Sequence, residues 1–332
     1  KLADIQDLGV VGLVEVVKHL PALLRLKRDI LAAARAEGAG AALFIDYPGF
    51  NLSLARTFRK ILPGMRLHQY VCPQVWAWKA SRIPVLGRTL DALYCLFDFE
   101  PGLFKGFPVE ALWVGHPLVE VVKPEVDRET FFRETGLDPA RPLVALLPGS
   151  RQGEIERLLP AMAGLVRAWQ EDPARRDVQW ALALAPTVPA DLVRAHLGGT
   201  KVTLVEGRGY ALCASASAAL ICSGTATLEA ALLGTPFAVL YKLNPLTYRA
   251  AKRLVKVRHV GLANIVAGRE VVPELLQDDV NPERLGAELA RLLEESTAAR
   301  IRQELAGVRA RLGEPGAAAR VAEHLLRALQ SR

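Results

Sequence analysis

Short apolar runs recur along the chain at 41–45, 67–71, 92–96, 111–114, 143–147, 178–185, 202–205, 218–222 and 237–241. Each is bounded by Gly, Pro, Asn, Asp or charged positions, the pattern of strands buried in a parallel sheet. Between the later runs, apolar residues recur at helical spacing over 154–171, 188–197 and 225–234. Strand and helix alternating in this way predict an α/β protein built on doubly wound parallel sheets. A Pro- and charge-rich passage at 123–142, with Pro124, Pro139 and Pro142, reads as the boundary between two such domains. The expected division is therefore 1–122 and 123–332. The last helices, within 282–332, are expected to pack back on the first domain or on a partner subunit. The uncharged run 209–228 is rich in Ala, Ser, Thr and Cys. It predicts a helix end, a buried strand and a loop rather than a membrane span.

The opening segment, 8–26, has a different pattern. Val14, Val17, Leu20, Leu23 and Leu24 recur near helical spacing around Pro21, a potential kink, with Lys18, Arg25, Lys27 and Arg28 close by. Such a helix either packs on a core or presents an apolar face with a basic rim. The second form would dock on an anionic membrane or hold acyl chains.

Length supports two domains, because 332 residues is long for one hydrophobic core. A formal charge of +7 points to an anionic partner: nucleic acid, membrane or a phosphorylated small molecule. Aromatic content of 6% supplies no stacking platform for single strands, and no nucleic-acid motif spacing occurs. Cys72, Cys95, Cys213 and Cys222 form no CxxC pair and sit in apolar runs, which predicts buried thiols. The six histidines have no ligand spacing, so neither a metal nor another cofactor is expected.

Three places carry candidate chemistry. The strand at 143–147 runs into Pro148, Gly149, Ser150 and Arg151 and then a polar helix start. Free amides at a helix N-terminus and a guanidinium fork suit a phosphate, although an ordinary strand-to-helix turn has the same outline. Asp46 ends the strand 41–45, where open parallel sheets place their ligands. It is a general-base candidate or a simple turn residue, and Asn51 is expected to cap the helix that follows. Ser223, Gly224 and Thr225 repeat the small-residue loop ahead of a helix bearing Glu229, which could bond a ribose diol or merely complement the helix dipole. Arg249, Lys252, Arg253 and Lys256 form a basic stripe that is either a solvated face or a site for lipid headgroups or phosphate. His116, within Gly115-His116-Pro117, reads as structural.

The stretches IDYPGFN (45–51), YVCPQVWAWK (70–79), VGHPL (114–118), LLPGSRQGEIE (146–156), SGTATLEAALLGTPFAVLYK (223–242) and ANIVAGREVVPELLQ (263–277) together resemble the lipid-A-disaccharide synthase family. The resemblance implies a GT-B fold of two Rossmann-like domains facing across a cleft. It implies an inverting, metal-independent transfer from UDP-2,3-diacylglucosamine to 2,3-diacylglucosamine 1-phosphate, giving the β-1,6 disaccharide 1-phosphate and UDP. It places the enzyme in the cytoplasm, peripheral on the inner face of the inner membrane, as a possible homodimer without nucleic-acid partners. Asp46 then matches the family's essential aspartate, and Arg151 the arginine for the UDP diphosphate. Gly149, Ser150, Ser223, Gly224, Thr225, Glu229 and Asn264 match its nucleotide side. Two departures are local: Ala263 stands where the family often has Pro, and Phe97-Asp98-Phe99-Glu100 replaces Leu-Pro-Phe-Glu. The family's opening strand, GExSGD-type loop and helix have no counterpart before Lys1, so the first sheet is expected to lack a central strand and one cleft wall. The competing readings are another nucleotide-sugar GT-B enzyme, such as a UDP-sugar epimerase, and a non-catalytic lipid- or nucleotide-binding remnant.

Overall fold

The computed structural model describes residues 13–244, 248 and 258–330, with side chains from residue 20 onward. The chain divides into two compact units, Lys1–Gly115 with Gly316–Arg332, and His116–Pro315. The division falls before the 123–142 passage, which belongs to the second unit together with the helices α4 (Leu118–Val121) and α5 (Arg128–Thr135).

The first unit opens with α1 (Leu13–Ala36), which continues through Pro21. Then come β1 (Ala41–Ile45), α2 (Pro48–Ile61), β2 (Arg66–Tyr70), α3 (Ile83–Thr89), β3 (Ala92–Cys95) and β4 (Glu110–Trp113). The four strands are parallel in the order β1-β2-β3-β4, with Ala41 opposite Arg66 and Ala92 opposite Glu110. Phe44, Leu54, Phe58, Leu67, Leu86 and Leu93 form the core between this sheet and α2 and α3. Each such side chain contributes roughly 1.5–3 kcal/mol on burial. β1 departs from the expected buried strand. It is an edge strand among the described residues, and Leu43 and Ile45 are 38% and 60% exposed. The helix Ala317–Gln330 adds to this unit at the end of the chain. Its Val321 packs with Ala92, Tyr94 and Val114, and Arg320 Nε donates to the Val114 carbonyl at 2.9 Å.

The second unit contains β5 (Leu143–Leu147), α6 (Gln152–Glu171), β6 (Gln179–Leu184), α7 (Ala190–Leu197), β7 (Thr203–Glu206), α8 (Gly209–Ser215), β8 (Ala218–Cys222), α9 (Ala226–Leu233), β9 (Phe237–Tyr241) and β10 (Glu274–Leu276). Its six parallel strands run β10-β9-β8-β5-β6-β7. The chain moves outward from β5 to β7, then returns to lay β8 on the other side of β5. That reversal makes the C-terminal ends of β5 and β8 a topological switch point, where crevices form in open α/β sheets. The nine expected strands occur with ends shifted by at most two residues, and 209–222 is the expected helix end and strand. β10 and the helix Leu262–Ala267 were not expected. Among the described residues no helix is long and apolar enough to cross a membrane. The basic stripe of Arg249, Lys252, Arg253 and Lys256 lies outside the described residues.

Candidate functional site

The ends of β5, β6, β7 and β8 open on a cavity of about 540 Å³ in the second unit. Seven of the eight residues assigned to UDP line it: Gly149, Ser150, Arg151, Ser223, Gly224, Thr225 and Glu229. Glu125, Glu154 and Tyr210 join them.

The β5–α6 loop needs glycine. Gly149 has φ +115°, and a Cβ there would collide with the Glu154 carboxylate. The loop amides are not vacant, which corrects the expectation. Glu154 Oε2 accepts from the N–H groups of Ser150 at 3.0 Å and Arg151 at 3.2 Å. Its Oε1 accepts from Arg151 Nη1 at 3.1 Å. A glutamate in the first turn thus satisfies donors at the helix start, as in a capping box. The Arg151 side chain is 72% exposed and keeps most of its guanidinium N–H groups for another acceptor.

The β8–α9 loop is built from small residues. Ser223 Oγ donates to the Val260 carbonyl at 2.8 Å, and Gly224 takes φ +153°. Thr225 is exposed at the start of α9 and makes no side-chain cap bond. Glu229, one turn into α9, accepts from the Tyr210 hydroxyl at 3.0 Å. Burial raises the Glu229 carboxyl above the ordinary range, partly offset by that bond. Burial, with the Glu229 charge beside it, pushes the Tyr210 phenol up to about 12. Glu125 accepts from the amides of Tyr210 at 3.1 Å and Ala211 at 2.8 Å, holding the start of α8. Cys222 lines the cavity as a thiol pushed up to about 12 by burial, so it is protonated at neutral pH and no nucleophile.

Asn264 is the exception and a correction. It is fully buried and does not line the cavity. Its Oδ1 accepts from Val271 and Val272 at 2.8 and 3.0 Å, and its Nδ2 donates to the Val272 carbonyl and to Glu274, both at 2.8 Å. Glu274 also accepts from the amides of Val260 and Gly261. Asn264 therefore braces the segment behind Ser223 through Val260, and its amide is committed there.

Asp46 belongs to the first unit, at the C-terminal end of β1, and is exposed. Asp46 and Tyr47 both take left-handed backbone, with φ 47° and 44°. The turn is pinned on both sides. Asp46 N–H donates to the Tyr70 carbonyl at 2.9 Å. Its carbonyl accepts from Asn51 Nδ2 at 2.7 Å and Gln69 Nε2 at 3.2 Å. Among the described residues no hydrogen bond or ion pair engages its carboxylate, which leaves both oxygens open to an incoming hydroxyl. Asn51 does not cap α2. The helix begins at Pro48 with Tyr47 as its N-cap, and Asn51 reaches back to the carbonyls of Ile45 and Asp46. In the second unit, buried His116 accepts from the Leu118 amide through Nδ1 at 3.2 Å. Burial pushes its imidazole down to about 4, a neutral structural residue.

Of the proposed membrane or acyl contacts, Leu20 and Leu24 are 48% and 52% exposed and Leu23 is half-buried. The side chains of Val14 and Val17 lie outside those described. One cluster of metal-ligating types occurs among the described residues, Cys72, Cys95 and Glu100, with ligand atoms within 4.8 Å of one another. Glu100 already accepts from Trp76 Nε1, Leu96 N and Phe97 N, and the hydrogen bond with Cys95, together with burial, raises the Cys72 thiol. This is the hydrogen-bonded interior of the first unit, with the carboxylate acting as a loop anchor.

Sequence reasoning missed Glu125, Glu154 and Tyr210. Glu154 carried a signal, since a glutamate three residues after a helix N-cap is a capping-box position. Glu125 carried none, because its partners lie 85 and 86 residues away.

A family model described as lipid-A-disaccharide synthetase matches residues 1–325. A lipid-A-disaccharide synthase of Anaeromyxobacter dehalogenans (strain 2CP-C) is 42% identical over 329 residues, covering 98% of this chain and 85% of the relative. That of Geobacter sulfurreducens is 39% identical over 333 residues, covering 99% and 85%. Among solved structures, a putative UDP-N-acetylglucosamine 2-epimerase from Listeria monocytogenes aligns with a TM-score of 0.63 at 16% identity, covering 93% of this chain and 80% of that one. A UDP-forming trehalose-phosphate synthase from Burkholderia xenovorans aligns at 0.56 and 13% identity, covering 96% and 80%. These structural likenesses show the fold, of GT-B type, and do not select between epimerase and transferase. The sequence matches do select, and they do not favour the epimerase or remnant readings. The chain belongs to the lipid-A-disaccharide synthase family, glycosyltransferases of lipid A biosynthesis.

Proposed function

We propose that this enzyme joins UDP-2,3-diacylglucosamine to 2,3-diacylglucosamine 1-phosphate by a single inverting displacement. Asp46 takes the proton of the acceptor's 6-hydroxyl as that oxygen bonds to the donor's anomeric carbon. The bond from that carbon to the diphosphate breaks, and UDP leaves with the electron pair. Arg151 binds the diphosphate and stabilises the charge that grows on it, and the Ser223–Gly224–Thr225 loop lies against the nucleotide. Glu229 bonds the ribose diol. The observation that carries this reading is the convergence of Gly149 to Arg151 and Ser223 to Glu229 on one cavity at a switch point.

A second observation supports the lipid substrates and the membrane surface as the place of action. Among the described residues, eight of the nine exposed large apolar side chains belong to the first unit: Leu20, Leu24, Leu43, Ile45, Tyr47, Trp78, Trp113 and Leu326. Lys79 and Arg82 lie over the Trp78 ring. Apolar groups beside cations suit an anionic bilayer surface or the acyl chains of the acceptor. This supports a peripheral enzyme at the inner face of the cytoplasmic membrane. The test is UDP release from the acylated donor, with and without acylated acceptor, on vesicles containing anionic lipid. Release that depends on the acylated acceptor is expected. Release without any acceptor, or with a non-acylated sugar as efficiently, overturns the assignment of substrates.

A further inference from the structure

Three carboxylates line the cavity with Arg151, those of Glu125, Glu154 and Glu229, and among the described residues Glu154 is the one that pairs with it. Glu154 accepts two loop amides through one oxygen and the Arg151 guanidinium through the other. It has the charge and the donors that a bound phosphate oxygen would have at that loop. Its seat is built, not incidental. Gly149 takes φ +115° and can carry no side chain without striking this carboxylate. The Ser150 carbonyl is tied on the far side by Thr187 Oγ1 at 2.6 Å. Glu154 is only 21% exposed, whereas Arg151 is 72% exposed. The loop is therefore closed on its own anion, and its cation is left pointing outward on a short tether.

Resting on the nucleotide reading of this cavity, we propose that Glu154 is the positioning residue of the diphosphate site. It fills the anion seat of the β5–α6 loop and fixes the guanidinium of Arg151. The donor's diphosphate is then held by the outward N–H groups of Arg151 and by the start of α9, not by the Ser150 and Arg151 amides. Two consequences oppose each other. The Glu154 charge repels the diphosphate in the ground state. The same charge orients Arg151 for the leaving group, whose charge grows only as the anomeric bond breaks. Removing the charge should therefore tighten nucleotide binding and slow turnover, a split that a scaffold residue does not give.

Glu154→Gln keeps the shape and an acceptor for the loop amides while removing the charge. Glu154→Asp keeps the charge but falls one methylene short of the loop. In calorimetric titration of the full chain with UDP, Glu154→Gln should bind roughly threefold to tenfold more tightly, the scale of one charge–charge contact near solvent. Its kcat should fall at least about tenfold, with KM for the donor lowered. Glu154→Asp should lose kcat without the gain in UDP affinity. Weaker or unchanged UDP binding by Glu154→Gln, or an unchanged kcat, overturns the proposal. Should the wild type bind no UDP, the nucleotide reading fails. The same variants titrated with inorganic pyrophosphate then decide the role of Glu154, and equal affinity of Glu154→Gln and wild type overturns it.

Discussion

At Asp46 the backbone restricts which substitutions separate chemistry from folding. A left-handed φ of 47° is tolerated by Asp and Asn far better than by branched or bulky residues. Asp46→Asn should therefore keep the turn, its bonds to Tyr70, Asn51 and Gln69, and the wild-type melting temperature. General-base action typically contributes ~10²–10⁴-fold, so turnover should drop by that factor while UDP affinity holds. Turnover within threefold of wild type would remove Asp46 from the reaction. Arg151→Ala tests the leaving-group side. A charge-assisted hydrogen bond is worth about 2 kcal/mol, so UDP affinity should fall roughly 30-fold, and equal calorimetric affinity would end the assignment. Both residues stood out in the chain because each follows a short apolar run, Asp46 directly after 41–45 and Arg151 at the end of the Pro148-Gly149-Ser150 turn after 143–147. Asn264 was misread for a physical reason. Its residue type and its motif are compatible with a ligand contact, and only its burial reveals that backbone groups and Glu274 use both ends of the amide.

Elements were more legible than their junctions. Buried strands such as β5 and β8 announce themselves because parallel sheets covered on both faces need continuous apolar runs. β10 was not legible, since its three residues, one of them Glu274, offer no periodicity. The β4–α4 junction shows what a junction residue can do. His116 N–H donates to the Leu312 carbonyl at 2.8 Å, and its neutral ring accepts from Leu118. Burial sets its folded-state value at about 4, against an ordinary 6.5. Above 6.5 both states are neutral and the group contributes no pH dependence. As pH falls below 6.5 the unfolded chain takes up a proton that the folded one refuses, so stability declines until about pH 4. The full loss is on the order of 3 kcal/mol. His116→Asn, which can still accept from Leu118, should flatten this slope. Urea midpoints at pH 7 and pH 5 in the two proteins measure it, and parallel slopes would show that His116 does not titrate as its burial requires.

At the scale of the whole chain, the last helix returns to complete the first unit. An apolar stripe along Ala317–Gln330 is visible in the chain, but a stripe does not name the surface that covers it. In the structure that surface is the first sheet. Tyr94 Oη lies 2.8 Å from His68 Nδ1 and 2.9 Å from His324 Nδ1, and His324 Nε2 reaches Glu110 at 3.2 Å. Tyr94 and His68 are buried, so removing the helix would strip a hydrogen-bond partner from an interior hydroxyl and uncover Ala92, Val114 and their neighbours. The hydroxyl keeps His68, so the lost bond to His324 costs about 0.5–1.5 kcal/mol, and the lost burial of Val321 adds roughly 1.5–3 kcal/mol. Deleting 316–332 should therefore lower the melting of the first unit by several degrees. The second unit contains the whole lining of its cavity, so its UDP affinity should be unchanged. Scanning calorimetry with and without UDP measures both. A deletion that weakens UDP binding as strongly as it weakens melting would mean that the two units do not hold their stability separately, and that the cavity depends on more of the chain than the residues around it.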